Sequence, residues 1–181
     1  MTIRPSKLSL WLIIAVLLTA LPGASRAAGF TQSGPLYASQ EASFDLFGSY
    51  LAQEHGIKNL FKTDIHGGAW GGGIGLNYFA SANIGFGTDI NIPDNGGQFI
   101  DSYTVNLIWR YPIESIGIAP YIIGGGGRIY DPSRQWMGQV GAGLEYRSSH
   151  KMGLFVDGRY EFAEHSGDDK LELRAGLRFV F

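Results

Sequence analysis

The chain has 181 residues, with 14 basic and 16 acidic side chains, a formal charge of −2, 27 glycines and no cysteine. Without cysteine there is neither a disulfide framework nor a lipid-modified N-terminal Cys, and the acidic balance lacks the basic footprint of a nucleic-acid partner. Charged residues make up only 17% while aromatics reach 13%, too little charge for the surface of an ordinary water-soluble domain.

Residues 1–27 place Arg4 and Lys7 ahead of an apolar run from Leu8 to Leu21, followed by the small-residue stretch "ASRA". This is the pattern of a cleaved signal peptide, and the run is shorter than the ~20 apolar residues that a spanning helix needs. Ser25 and Ala27 fit the small-x-small cleavage rule, so the mature chain is expected to begin at Ala28. Removing Arg4, Lys7 and Arg26 leaves 11 basic against 16 acidic residues, a formal charge of −5. Residues 28–40 read as a short periplasmic lead-in to one domain, 41–181.

Beyond residue 40 no stretch repeats its apolar residues with helical spacing, whereas period-two alternation recurs throughout. Eight strands are expected, at about 43–51, 69–79, 83–91, 101–111, 120–130, 139–147, 154–162 and 171–181. Most have the length at which a tilted strand crosses a bilayer. Splitting each by parity gives one apolar and aromatic face. On the fifth strand this face takes Tyr121, Ile123 and Ile129. The other face carries glycines together with Asp45, Asp89, Arg110, Arg128, Glu145, Arg147, Asp157, Arg159, Glu161, Glu172, Arg174 and Arg178. Asp101 is the one charge assigned to the apolar face, at a strand end. Phe47, Ile108, Ile122 and Phe155 are the large apolar residues expected on the polar face, with Phe79 and Val180 at strand ends.

Two barrels share this pattern. A lipocalin-like barrel turns its apolar face inward around a ligand, and a membrane barrel turns it outward to lipid. A face made largely of glycine is a poor solubilising surface but suits a narrow lumen. Aromatics also gather at strand ends, with Tyr78, Trp109, Tyr111, Tyr121, Tyr146 and Phe179 toward one rim and Tyr50, Trp70, Tyr130, Trp136 and Tyr160 toward the other. Such girdles mark bilayer interfaces. The expectation is an all-β, eight-stranded antiparallel up-and-down transmembrane barrel behind a cleaved signal peptide, with its charges paired in a plugged lumen.

"APYIIGGGG" (119–127), "GQVGAGLEYR" (138–147), "GLFVDGRYEF" (153–162) and the last strand, "LELRAGLRFVF", resemble the small outer-membrane β-barrels of the OmpA, OmpX, OmpW and opacity-protein group. The resemblance spans the mature chain and implies a Gram-negative-type outer membrane. It implies that Leu177, Phe179 and Phe181 form the C-terminal signal read by the barrel-assembly machinery. It also implies contact with outer-membrane lipids, including lipopolysaccharide, and a monomer. The first outer loop, "QEHGIKNLFKTD", is the expected contact site, with a solvated connector as the plainer alternative.

No cofactor, metal or catalytic set is expected. In "EHSGDDK", His165, Ser166, Asp168 and Asp169 have the residue types of a lipid A-modifying enzyme, but adjacent His and Ser would point apart on a strand, and a polar turn explains them. His55, His66, His150 and His165 lack a ligand spacing. The run Gly124–Gly127 precedes no Lys-Ser/Thr and fits a crowded strand rather than a phosphate loop. The functional expectation is a structural or surface-interaction role, with OmpW-like passage of small hydrophobic molecules as the alternative. Leu144→Arg is expected to impair insertion far more than Gly143→Ser.

Overall fold

The computed structural model describes residues 34–53, 69–93, 100–130, 134–164 and 169–181. The expected signal peptide, most of the first outer loop, and His165, Ser166 and Asp168 lie outside these residues. Eight strands follow in order: β1 (Glu41–Gln53), β2 (Ala69–Phe79), β3 (Ile84–Pro93), β4 (Ser102–Arg110), β5 (Ile118–Ile129), β6 (Gln135–Arg147), β7 (Met152–Ala163) and β8 (Lys170–Val180). Each pairs antiparallel with its sequence neighbour, and β1 pairs with β8, from Ser43 opposite Val180 to Gln53 opposite Lys170. The sheet is therefore a closed barrel. Closure satisfies the backbone groups that an open edge would leave bare in lipid.

Burial is inverted relative to a water-soluble barrel. Leu76 and Val105 are each 59% exposed, while Arg110, Glu145 and Glu172 are 0% exposed. Only a hydrocarbon surround makes that distribution favourable, because in water it would expose a continuous apolar belt. Short connections, including 80–83 and 148–151, lie at the end that holds Glu41 and Val180. That is the inner end of such a barrel, and the loops at the opposite end face outward.

The fifth strand corrects the expected parity. Tyr121, Ile123 and Ile129 are buried inside, Ile122 is 56% exposed, and Arg128 is on the outer face. Apolar residues occupy both parities of β5, so alternation alone cannot choose between them. The pairing with β6 decides: Tyr121 lies opposite Gly143 and Ile123 opposite Gly141, whereas Arg128 lies opposite Trp136. Arg128 thus leaves the lumen set and Tyr121 leaves the aromatic girdle. Asp101 is also corrected, being buried just ahead of β4 with its backbone N–H donating to Asn91 O at 2.9 Å.

Inward glycines face the large inward side chains. A Cβ on Gly143 would lie 2.6 Å from Tyr121 Cζ and from Asp157 Cβ, and one on Gly85 would lie 2.6 Å from the Phe79 ring. Phe79, Ile108, Tyr121 and Ile123 form an apolar cluster within the barrel. Eight strands leave room for side chains to fill the interior only if long and tiny residues interdigitate.

Candidate functional site

The lumen holds stacked polar layers, and its inner floor is formed by residues 34–40. Tyr37 is 1% exposed. Its hydroxyl lies 2.8 Å from Gly117 O and 3.2 Å from Glu145 O. Its ring stands beside two guanidinium groups, 4.5 Å from Arg147 and 5.0 Å from Arg110. The backbone N–H groups of Leu36 and Tyr37 donate to the Glu114 carboxylate at 2.8 and 3.2 Å. Arg147 Nη1 donates to Leu36 O at 2.9 Å. Burial first, then the Glu145 carboxylate, pushes the Tyr37 hydroxyl well above its usual range. The phenol therefore stays protonated and able to donate. Gly117, at φ 67°, is needed here, since a Cβ would strike the Arg147 carbonyl.

Above this floor lies a layer of three carboxylates and three guanidinium groups. Arg147 forks onto Glu41 with both distances 2.7 Å and also donates from Nε to Glu145. Arg110 reaches Glu41 at 3.0 Å and stacks 3.6 Å from the Phe79 ring centre. Arg178 forks onto Asp45 at 2.8 and 2.7 Å and donates to Glu145 at 2.5 Å. Bidentate geometry of this kind gives the strongest charge-assisted hydrogen bonds.

The middle layer is built on two aspartates. Asp157 accepts from Tyr121 at 2.7 Å, from Arg174 at 2.9 and 3.1 Å, and from Arg159 at 3.2 and 3.4 Å. Asp89 accepts from Arg159 and Asn106, both at 2.8 Å, and Gln139 donates to Asn106 at 2.5 Å. Arg174 lies 4.2 Å from the Phe47 ring centre, which places an apolar wall beside the ions. Toward the outer end Glu161, Glu172, Asp101 and Lys170 are buried, and among the described residues neither carboxylate oxygen of Glu172 has a hydrogen-bond partner. Acid is in excess in this outer part, whereas the two deeper layers balance.

Solved structures share the barrel fold over nearly their whole lengths. The N-terminal β-barrel domain of Pseudomonas aeruginosa OprF matches with a TM-score of 0.59 at 14% identity, covering 80% of this chain and 99% of that one. Neisserial surface protein A matches at 0.52 and 14%, covering 78% and 96%. Ail, the attachment invasion locus protein of Yersinia pestis, also matches at 0.52 and 14%, covering 79% and 99%. No family model and no curated protein matches the sequence.

The chain has the fold of the small eight-stranded outer-membrane barrels. At these identities the likeness is one of fold.

Of the expected lumen charges, the barrel brings together all but Arg128. Alternation alone misses Glu41, because the clear pattern of β1 starts at Ser43, and it misses Lys170 because that of β8 starts at Leu171. Both lie in phase with charged residues further along the same strand, which was the available signal. The sequence marks the N-terminal segment only as a lead-in, and no periodicity singles out Tyr37 as a floor residue. On the C-terminal strand, Leu177 pairs with Leu46 and Leu154, and Phe179 stacks on Phe44 with ring centres 6.4 Å apart. Phe181 is 81% exposed, and its backbone N–H donates to Ala42 O at 2.9 Å. His150 contacts Gly34 O through Nε2 at 2.9 Å, and Asp169 accepts from Tyr160 at 3.1 Å.

Proposed function

We propose that this protein is an integral outer-membrane barrel with a plugged lumen, serving as a structural or surface-interaction element of the cell envelope. The supporting observation is the Asp45–Arg178–Glu145–Arg147–Glu41–Arg110 chain, which crosses the interior directly above the Tyr37 floor. Side chains so paired fill the bore, and separating them to make a path would leave uncompensated buried charge. The C-terminal residues Leu177, Phe179 and Phe181 serve in this reading as the signal for the barrel-assembly machinery, and the finished protein is a monomer.

The test is conductance of the purified protein in a planar bilayer. Negligible current is expected, and steady currents of open-pore size would refute the reading. Passage of small hydrophobic molecules is less favoured, because the inward apolar residues Phe79, Ile108, Tyr121 and Ile123 pack on one another instead of lining a path. Catalysis forms no part of the proposal.

A further inference from the structure

Arg128 is the charged side chain that the fold takes out of the lumen and sets on the lipid-facing surface. It is the penultimate residue of β5, at the outer end of the barrel. Its neighbours across the sheet are Tyr103 on β4 and Trp136 on β6. The guanidinium lies 5.5 Å from the Trp136 ring centre and 6.0 Å from that of Tyr130, which itself stands 6.0 Å from Tyr103. Two interfacial aromatics, one of them with Tyr103 beside it, thus flank the cation. Its Nε is buried yet has no hydrogen-bond partner among the described residues. A guanidinium on the hydrocarbon face is unfavourable, but at the interface the cost falls away because the head can reach the polar layer.

We infer that Arg128, flanked by Tyr130 and Trp136, binds the phosphate of an anionic lipid headgroup in the outer leaflet. The planar fork of an arginine suits a phosphate, and the rings hold the fork while shielding it from water. The overall acidity of the mature chain makes general attraction of anions a poor explanation for such an arginine, so recognition is local. The lipid, rather than a soluble anion, is favoured because the side chain projects from the face that meets the bilayer, between residues of the aromatic girdle.

The test uses the purified full-length barrel in nanodiscs doped with diphosphoryl lipid A, or with the same glycolipid lacking its phosphates. Retained lipid is read by native mass spectrometry, and folding is checked by heat-modifiable gel mobility. Wild type should retain the phosphorylated lipid, and Arg128→Gln should lower its apparent affinity about tenfold. Arg128→Lys, which keeps charge but not the fork, should fall between them. Undiminished retention by Arg128→Gln, or equal retention of the phosphate-free glycolipid, would overturn the site. An equal loss on Arg134→Gln, an exposed arginine six residues along the chain, would reduce it to diffuse attraction and overturn it too. Displacement by inorganic phosphate alone would reassign the site to a soluble anion.

Discussion

Replacing Arg178 by Met removes the cation shared by two buried carboxylates while keeping the length of the side chain. Arg178 donates to Asp45 twice and to Glu145 once, at 2.5 to 2.8 Å, and its side chain is 4% exposed. After the change Glu145 keeps Arg147 as a direct partner, with Arg110 Nη1 at 3.7 Å. Among the described residues Asp45 keeps only the amide of Asn77, at 2.9 Å. Stranding a buried charge in this way costs about 3 to 5 kcal/mol, or roughly two to three and a half decades in the unfolding equilibrium. Urea titration of the barrel in lipid vesicles, followed by tryptophan fluorescence and gel mobility, would measure it. Asp45→Asn added to Arg178→Met should recover about 1 to 3 kcal/mol relative to the sum of the single changes, because the stranded carboxylate is then neutral. A loss below about 1 kcal/mol, typical of a solvated surface pair, or strict additivity of the two changes, would refute a lumen held shut by ion pairs.

Leu144→Arg puts a charge on the lipid face and should cost on the order of 2 kcal/mol. Gly143→Ser, expected from sequence to be mild, should also impair folding by about 1 to 3 kcal/mol, since its Cβ would meet Tyr121, Asp157 and the Val156 carbonyl, each at 2.6 Å. The folded fraction on a heat-modifiability gel ranks the two, and a wild-type yield for Gly143→Ser would contradict the packing described. Tyr37→Ala should free residues 34–40 for proteolysis, while Tyr37→Phe should lose only about 1 kcal/mol from the hydroxyl. Because the Tyr37 pKa is raised in the folded state, its contribution is fully present below the ordinary phenol value of about 10 and is lost as pH rises further. The difference in tyrosinate absorbance between wild type and Tyr37→Phe should accordingly titrate above the exposed tyrosines. Titration at the ordinary value would mean that the floor is open.

The alternating runs by themselves determined strand number, the apolar and polar faces of seven strands, and the membrane character of the barrel. Period-two spacing makes side choice automatic wherever charges and large apolar residues occupy opposite parities, as Asp157, Arg159 and Glu161 do against Val156, Tyr160 and Phe162. On β5 that rule had nothing firm to act on: Ile122 and Ile123 are adjacent, four glycines follow, and the lone charge, Arg128, stands at a rim where an arginine can face outward. Only pairing with β6 fixed which side was which, because Tyr121 needs the hollow left by Gly143. The partners within the lumen were equally beyond the sequence. Arg178 and Asp45 are separated by 133 positions, and their contact exists because β8 closes onto β1. The Tyr37 floor likewise depends on Glu114, Gly117, Arg110 and Arg147, which barrel closure gathers around a segment with no pattern of its own.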